Sequence, residues 1–242
     1  MTQDLSKLTV DELFKLGGVE VYDGLHFVYT GDDHGPGYAQ LRPLGQVENL
    51  PILKELSYRT LKKALEALNL PWYFPVVVVG PETLGVKIAA EAVTEYKRRE
   101  TVRRPIMAGA FMHDPNKEDG FIWGDGGGFA LMQPDPKSPP AQVVWVDDLM
   151  NKGSTWKRSK NLLLDLWPDS VKAIATIANR SAHTSESLGV PHFVSLHEIS
   201  LDRFSPAECR QCEQHIPIVR HPGHGWKFEE ANPNYLGGYM DL

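Results

Sequence analysis

The clearest structural signal in the sequence is the run Val143-Val144-Trp145-Val146-Asp147-Asp148-Leu149-Met150-Asn151-Lys152-Gly153-Ser154-Thr155. Its first four residues are apolar and mostly β-branched, which is typical of a buried strand. Two adjacent carboxylates follow where that strand is expected to end, and then a polar turn with a glycine. From Trp156 to Leu166, leucines recur at helical spacing. This order predicts a parallel sheet with polar groups at the carboxyl end of a strand, where ligands bind.

These polar groups suit a phosphorylated sugar. Successive N–H groups in the turn from Asn151 to Thr155 form a concavity for an anion at a helix N-terminus, and Ser154 and Thr155 add hydroxyl groups. Asp147 and Asp148 are suited to accept hydrogen bonds from vicinal hydroxyls or to hold a hydrated Mg²⁺ ion. The alternative is a buried strand followed by an Asp helix cap and a solvated turn.

A second segment repeats this design. The apolar run Pro75–Val79 predicts a buried strand, Gly80-Pro81-Glu82-Thr83-Leu84-Gly85 predicts a turn, and residues 86–98 predict a helix. Repeated strand–loop–helix units indicate an α/β fold, with a Rossmann-like, doubly wound, mostly parallel sheet. The glycine-containing turn by itself also fits a tight connection without a ligand. A leucine stripe predicts a further helix over residues 50–68.

Composition limits the classes of partner. The chain has 242 residues, of which 42% are hydrophobic and 23% charged, and its net charge is −6. This acidic balance argues against nucleic acid or an anionic membrane as a partner. No apolar run reaches the length of a membrane span, and the N-terminus lacks a signal-peptide core. We therefore expect a cytoplasmic protein.

The acidic run resembles the signature of type I phosphoribosyltransferases: a hydrophobic strand, two acidic residues, then a Thr-Thr-Gly-Gly-Thr-like loop. Lys152 replaces a small hydroxyl residue that is usual in that loop. The turn Gly80–Gly85 is similar to the family's pyrophosphate loop. A glycine-rich segment before residue 40 and the Asn179-Arg180 pair are similar to the orotate branch, and the resemblance covers about residues 20–200.

The resemblance implies a transferase that uses 5-phosphoribosyl 1-pyrophosphate and Mg²⁺ to make a nucleoside monophosphate, with orotate as the leading base. In it, Asp147 and Asp148 would be the catalytic pair, holding the ribose hydroxyls and, through water, Mg²⁺. The turn from Asn151 to Thr155 would hold the 5′-phosphate, and residues 80–83 (Gly80, Pro81, Glu82, Thr83) would meet the pyrophosphate. Arg180 would face the base, as would the loop Gly31–Tyr38 that contains His34. A surface ion pair is the alternative for Arg180.

The resemblance also implies a domain organisation. A hood of about residues 1–48 would cover a core of about residues 50–205, and residues 206–242 would form an irregular tail. A homodimer is expected. The family closes a basic loop over the pyrophosphate; this chain offers a basic cluster at residues 97–104, which also fits a solvated helix end, and Lys117 alone in the glycine-rich loop beyond. Within the hood, Asp23-Gly24 predicts the turn of a hairpin between residues 19–22 and 25–29.

The tail contains Cys209-x-x-Cys212, followed by His215. Thiolates and imidazoles are the usual ligands of zinc, so these three residues are a candidate Zn²⁺ site. A single Cys-x-x-Cys pair also fits a reduced structural pair, a redox pair, or a site that a dimer mate completes.

Two other function classes remain open at this stage. The fold could bind phosphoribosyl pyrophosphate or a nucleotide without turning it over, which Lys152 and the weakly basic closing loop favour. It could also serve a nucleotide hydrolase or phosphorylase that uses the same phosphate site.

Overall fold

The computed structural model describes residues 3–29, 31–101, 104–113, 121–123, 140–166, 169–180 and 183–242. The helices in this part of the chain are α1 (Val10–Leu16), α2 (Leu50–Leu68), α3 (Leu84–Arg99), α4 (Ser154–Leu166), α5 (Ser185–Leu188), α6 (Arg210–Glu213) and α7 (Gly225–Ala231). The strands are β1 (Glu20–Tyr22), β2 (Phe27–Val28), β3 (His34–Gly35), β4 (Tyr38–Gln40), β5 (Val76–Pro81), β6 (Ile106–His113), β7 (Phe121–Trp123), β8 (Gln142–Met150), β9 (Val171–Asn179), β10 (His192–Glu198), β11 (Ile218–Val219) and β12 (Tyr239–Met240). None of these helices is long and apolar enough to cross a lipid bilayer.

A mostly parallel sheet lies at the centre of the fold. Its strand order is β10-β9-β8-β5-β6-β7, and every neighbouring pair is parallel except β6 and β7. The runs Val76–Val79 and Val143–Val146 are fully buried, as expected for strands that are covered on both faces. The predicted α/β fold with a mostly parallel sheet is therefore confirmed.

Helices cover both faces of this sheet. On one face, α4 packs through Trp156, whose ring meets Trp145 edge to face with centroids 5.7 Å apart. Such a pair adds about 0.5–1.5 kcal/mol beyond the area it buries. The alternate residues of the central strands point to the other face and are buried as well. The helices α2 and α3 pack against each other and against these strands. The predicted helix α2 has the observed bounds, Leu50 and Leu68.

The chain divides into two compact units. The larger unit contains Met1–Gly17 and Leu44–Glu198, and the smaller unit contains Gly18–Pro43 and Ile199–Leu242. This division differs from the expected hood of residues 1–48 and separate tail from residue 206. Within the smaller unit, the two segments pair through single β-bridges, His26 to Ile218 and His34 to Phe204. These bridges explain why the hood segment and the tail fold as one body.

The hairpin of the smaller unit turns later than the sequence predicted. β1 pairs with β4 and β2 pairs with β3, both antiparallel, so the two pairs are nested in one hairpin. The Tyr29 N–H donates to the Asp33 carbonyl oxygen at 2.8 Å near the tip. The predicted turn at Asp23-Gly24 instead lies between β1 and β2 on the same arm. The glycine-rich segment accommodates this arrangement: a Cβ on Gly35 would come within 2.3 Å of the Tyr29 hydroxyl.

Candidate active site

The two predicted phosphate motifs meet at one point of the larger unit. β5 has β6 on one side and β8, which comes later in the chain, on the other, so the strand order reverses between β5 and β8. Their last paired residues are Val79 and Trp145, after which β5 continues beside β6 and β8 continues beside β9. In doubly wound sheets, ligands bind at such a switch point, outside the carboxyl ends of the strands.

The acidic pair lies inside β8 rather than after it. The strand runs to Met150 because its ladder with β9 continues, with Asp147 opposite Thr176. Neighbouring residues of a strand point to opposite faces, so the two carboxylates leave the backbone on opposite sides. Asp147 is 8% exposed, whereas Asp148 is half-buried. The strand was expected to end at Val146, before the pair, and instead ends at Met150.

The carboxyl group of Asp147 is buried beside a second carboxylate. Its side chain accepts a hydrogen bond from the Asp148 backbone N–H at 3.0 Å and has no ion pair with any described residue. Burial, together with the neighbouring Asp148 carboxylate, raises the pKa of Asp147 well above its usual range. A group that donates hydrogen bonds or carries positive charge would stabilise the ionised form. The oxygen-only donor set of this pair therefore fits ribose hydroxyls and a hydrated Mg²⁺ ion.

The turn after β8 forms the N-terminus of α4. Gly153 is buried at φ +68°, a left-handed conformation that side chains disfavour, and its carbonyl oxygen accepts the first helical hydrogen bond, from the Lys157 N–H at 2.9 Å. The N–H groups of the first turn have no acceptor within the helix. Lys152 and Ser154 are exposed. This turn therefore has the backbone geometry that an anion requires.

The turn between β5 and α3 lies against β8. Gly80 and Gly85 approach closely, since a Cβ on Gly80 would be 2.0 Å from the Gly85 carbonyl oxygen. A Cβ on Gly85 would be 3.1 Å from the carbonyl oxygen of Val146, the residue before the acidic pair. Pro81 is buried in β5, whereas Glu82 and Thr83 are exposed immediately before α3. Two helix N-termini and two carboxylates thus lie around the end of β8.

Arg180 lies at the carboxyl end of the next strand. Its backbone N–H donates to the Met150 carbonyl oxygen at 2.9 Å, and its side chain is buried. Asn179, which stands where the orotate branch has aspartate, donates to a Glu198 carboxylate oxygen at 2.8 Å. The backbone of Arg180 is therefore beside the end of β8, as a base-facing residue requires.

His183 is a further candidate site residue, which the sequence did not indicate. Its Nε2 atom is buried, lies 3.6 Å from the position of a Cβ on Gly153, and has no hydrogen-bond partner among the described residues. Its Nδ1 atom is 3.3 Å from the Ser187 hydroxyl. The only sequence signal was a histidine just before the helix cap at Thr184, which is common outside active sites. The structure brings this imidazole to the candidate phosphate turn.

Two further residues of the predicted sites, His34 and His215, belong to the smaller unit. His34, expected to face the base, is completely buried in the smaller unit, and burial together with His26 lowers its pKa to about 4. Its imidazole contacts His26 and Cys212, so the expectation of a base contact is corrected. His215 is exposed and lies outside the group of possible metal ligands that contains both cysteines.

The basic cluster of residues 97–104 begins in the last turn of α3, at the end of the helix far from the turns, and its Arg103 lies outside the described residues. Arg98 and Arg99 are in the last turn of α3, where they pair with Glu95, and Arg99 also pairs with Glu55. A helix of this length spans about 24 Å from its N-terminus to this end. The cluster therefore fits the alternative interpretation, a charged helix end. Lys117, the other basic residue considered for a closing loop, lies outside the described residues.

The proteins to which this chain is similar include orotate phosphoribosyltransferases. No protein-family model matches the chain. The chain is 25% identical over 219 residues to the orotate phosphoribosyltransferase of Caldanaerobacter subterraneus subsp. tengcongensis, covering 90% of this chain and 98% of that protein. A crystal structure of orotate phosphoribosyltransferase from Francisella tularensis matches with a TM-score of 0.52 at 14% identity, covering 82% of this chain and 85% of that one. A hypoxanthine phosphoribosyltransferase from Staphylococcus aureus matches with a TM-score of 0.38 at 11% identity, covering 61% and 73%.

Proposed function

We propose that this chain is a type I phosphoribosyltransferase similar to orotate phosphoribosyltransferases. It would transfer the phosphoribosyl group of 5-phosphoribosyl 1-pyrophosphate to a nitrogenous base. Orotate is the first candidate for that base. One observation carries the proposal: the acidic pair and two strand-to-helix turns lie together at the switch point of the sheet. This set of groups matches a sugar that carries hydroxyls, a 5′-phosphate and a pyrophosphate.

Each part of the substrate has a group suited to bind it. Asp147 and Asp148 would accept hydrogen bonds from the ribose hydroxyls. The turn from Asn151 to Thr155 at the N-terminus of α4 would hold the 5′-phosphate, and residues 80–83 before α3 would contact the pyrophosphate. The Arg180 guanidinium, with its fixed fork of donors, would face a carbonyl or carboxylate of the base.

The reaction replaces one bond at the anomeric carbon. The C–O bond to pyrophosphate breaks with its electron pair leaving on the pyrophosphate, and a C–N bond to the base forms. The proton of that base nitrogen passes to the departing pyrophosphate or to water. Positive charge develops on the ribose ring in the transition state, and the carboxylates of Asp147 and Asp148 would stabilise it. Fixing both reactants in this geometry removes much of the entropic barrier, so no covalent nucleophile is required.

Mg²⁺ belongs to this proposal as the cofactor. The acidic pair would hold it through water, and it would supply positive charge against the phosphate groups of the substrate. We also propose that the chain acts in the cytoplasm as a homodimer on small molecules, with neither nucleic acid nor membrane as a partner; its net charge of −6 is in keeping with this.

The proposal is tested by pyrophosphate release from phosphoribosyl pyrophosphate and Mg²⁺ across a panel of bases, beginning with orotate. Release with one base would identify both the reaction and its substrate. A double variant, Asp147→Asn with Asp148→Asn, should lose this activity while it keeps the wild-type circular dichroism spectrum. The matched control is Asp169→Asn, an exposed carboxylate in the larger unit. Full activity in the double variant would refute the assignment.

A second candidate is a protein that binds phosphoribosyl pyrophosphate or a nucleotide without turning it over. The observation that favours it is Lys152, which is exposed in the phosphate turn where the family usually has a small hydroxyl residue. Calorimetric binding of phosphoribosyl pyrophosphate without pyrophosphate release for any base would identify this function. Release of ribose 5-phosphate with water as the acceptor would instead identify a hydrolase.

A further inference from the structure

A cluster of four potential metal ligands lies inside the smaller unit. The ring nitrogens of His26 and His34 and the sulfurs of Cys209 and Cys212 all lie within 4.8 Å of one another. The two histidines come from the β2–β3 hairpin, and the two cysteines flank the start of α6. The cluster therefore joins two distant segments of the chain, since His26 and Cys209 are 183 positions apart in the sequence.

The distances in the cluster are close to those of a tetrahedral zinc site. His26 Nε2 is 2.9 Å from His34 Nδ1, and it is 3.5 Å from the Cys209 sulfur and 3.6 Å from the Cys212 sulfur. The Cys212 sulfur is 3.1 Å from His34 Nδ1. Zn–N bonds of about 2.0 Å and Zn–S bonds of about 2.3 Å give tetrahedral edges of about 3.3 Å between nitrogens and about 3.6 Å between nitrogen and sulfur.

The histidines are already oriented as ligands. The Nδ1 atom of His26 is 2.9 Å from the Ile216 carbonyl oxygen, which can only accept, so the proton is on Nδ1 and the lone pair of Nε2 points into the cluster. The backbone of His34 is fixed by Phe204, which exchanges both hydrogen bonds with it at 2.8 and 2.9 Å. A second-shell carbonyl and a fixed backbone are the usual supports of a histidine ligand.

Hydrogen bonds alone satisfy this cluster poorly. The one lone pair of His26 Nε2 would have to serve His34 and both thiols, yet it can accept one good hydrogen bond. His26 and His34 are completely buried, and Cys209 is 3% exposed, so water does not replace the missing partners. Buried polar groups without partners cost free energy, whereas a cation between the four atoms would satisfy them all.

We propose that His26, His34, Cys209 and Cys212 together bind one zinc ion. Two sulfurs and two imidazole nitrogens in a tetrahedral arrangement select zinc among the common divalent metals. All four positions are filled by the protein, which makes the site structural rather than catalytic. The ion would join the two chain segments of the smaller unit, which also meet in a hydrophobic cluster around Phe27, Tyr29 and Val219. The sequence indicated His215 as the histidine ligand, whereas this set contains two histidines from the hairpin instead.

The zinc content of the untagged, full-length protein tests the proposal. Plasma mass spectrometry of protein purified without chelators should find about one zinc per chain. Cys212→Ser and His34→Ala should each lose most of that zinc, whereas the matched control His215→Asn should keep it. Asparagine suits that control because His215 has φ +55°. Zinc that persists in both ligand variants, or that is lost in the control, would overturn the ligand set.

A second measurement needs no variant and so does not depend on their folding. Reduced wild-type protein, depleted of metal and titrated with Co²⁺, should give the intense visible bands of tetrahedral cobalt and a thiolate-to-cobalt charge-transfer band, each saturating at about one equivalent. Metal-free wild-type protein that binds neither ion, or a Cys209–Cys212 disulfide in freshly purified protein, would refute the site. Neither measurement depends on the proposed transferase activity.

Discussion

Replacing Asp147 by asparagine should raise stability and remove activity. The buried carboxylate accepts one backbone hydrogen bond, from Asp148, which an asparagine oxygen can accept equally well. The variant therefore keeps the shape and the hydrogen bond and removes a buried charge next to a second carboxylate. Burial of an unpaired charge costs several kcal/mol, part of which relaxation recovers, so we expect the free energy of unfolding at pH 7 to rise by about 1–3 kcal/mol. This corresponds to a melting temperature about 3–10 °C higher for a chain of this size.

The gain in stability should depend on pH in a defined direction. Because the folded state raises the pKa of Asp147, the folded protein binds that proton more tightly than the unfolded chain. Wild-type stability is therefore lost as pH rises from the unfolded pKa of about 3.9 through the folded value, and the variant lacks this loss. The difference in melting temperature should be larger at pH 7 than at pH 4.

Thermal unfolding followed by circular dichroism at both pH values measures this difference, and pyrophosphate release measures the activity. Asp169→Asn is the matched carboxylate-to-amide control, and it should change neither quantity. A variant that melts below the wild type at pH 7 would show that Asp147 is paired in a way that the geometry does not contain. A more stable variant with full activity would show that the carboxylate has no part in the reaction.

Three further changes have expected outcomes. Gly80→Ala should destabilise the protein by about 1–3 kcal/mol and abolish turnover, because the added Cβ would overlap the Gly85 carbonyl oxygen. In the control Gly45→Ala, the nearest atom to the added Cβ is a Leu84 methyl carbon at 3.4 Å, so denaturant unfolding and activity should not change. His183→Ala should raise the KM for phosphoribosyl pyrophosphate about 10-fold or more, because one hydrogen bond to the charged 5′-phosphate would be lost. The free energy of unfolding should not change. An unaltered KM would exclude His183 from the phosphate site. Hydrogen bonds from Arg98 and Arg99 lower the pKa of Glu95 in the folded state. The stability that Glu95 contributes is therefore present above its unfolded pKa and is lost as pH falls through the folded pKa. Glu95→Gln should lower the melting temperature at pH 7, and should lower it less at pH 3.

The local pattern of the sequence predicted the larger unit well. The leucine stripe of α2 indicated both of its ends. The Thr-x-x-Glu spacing from Thr9 to Glu12 is that of a capping box, and the structure has this box: the Thr9 N–H donates to Glu12 at 2.7 Å, and the Thr9 hydroxyl accepts from the Glu12 N–H at 3.2 Å. The strand–turn–helix order around Asp147 and Gly80 correctly predicted two strands of a mostly parallel sheet. These features are set within a few residues, so apolar periodicity and capping residues report them directly.

Features that depend on distant pairing were not accessible in the same way. The extent of β8 past Asp147 is decided by β9, which keeps pairing with it after β5 has turned away. The hairpin turn moved because β1 pairs with β4, a contact that the Asp23-Gly24 signal does not report. The proposed metal ligands are the clearest case. The Cys-x-x-Cys pair was visible in the sequence, and spacing indicated the nearby His215 as its partner. His26 and His34 instead lie beside the two cysteines because of long-range β-bridges, which sequence spacing does not report.

The central claim is phosphoribosyl transfer at the switch point, and phosphorus NMR of the reaction mixture tests it most directly. Wild-type protein with phosphoribosyl pyrophosphate, Mg²⁺ and orotate, or another base of the panel, should convert the substrate signals into those of free pyrophosphate and a nucleoside monophosphate. The Asp147→Asn, Asp148→Asn double variant should leave the substrate signals unchanged over the same time. Substrate signals that persist with wild-type protein for every base, or that decay equally with the double variant, would contradict the account.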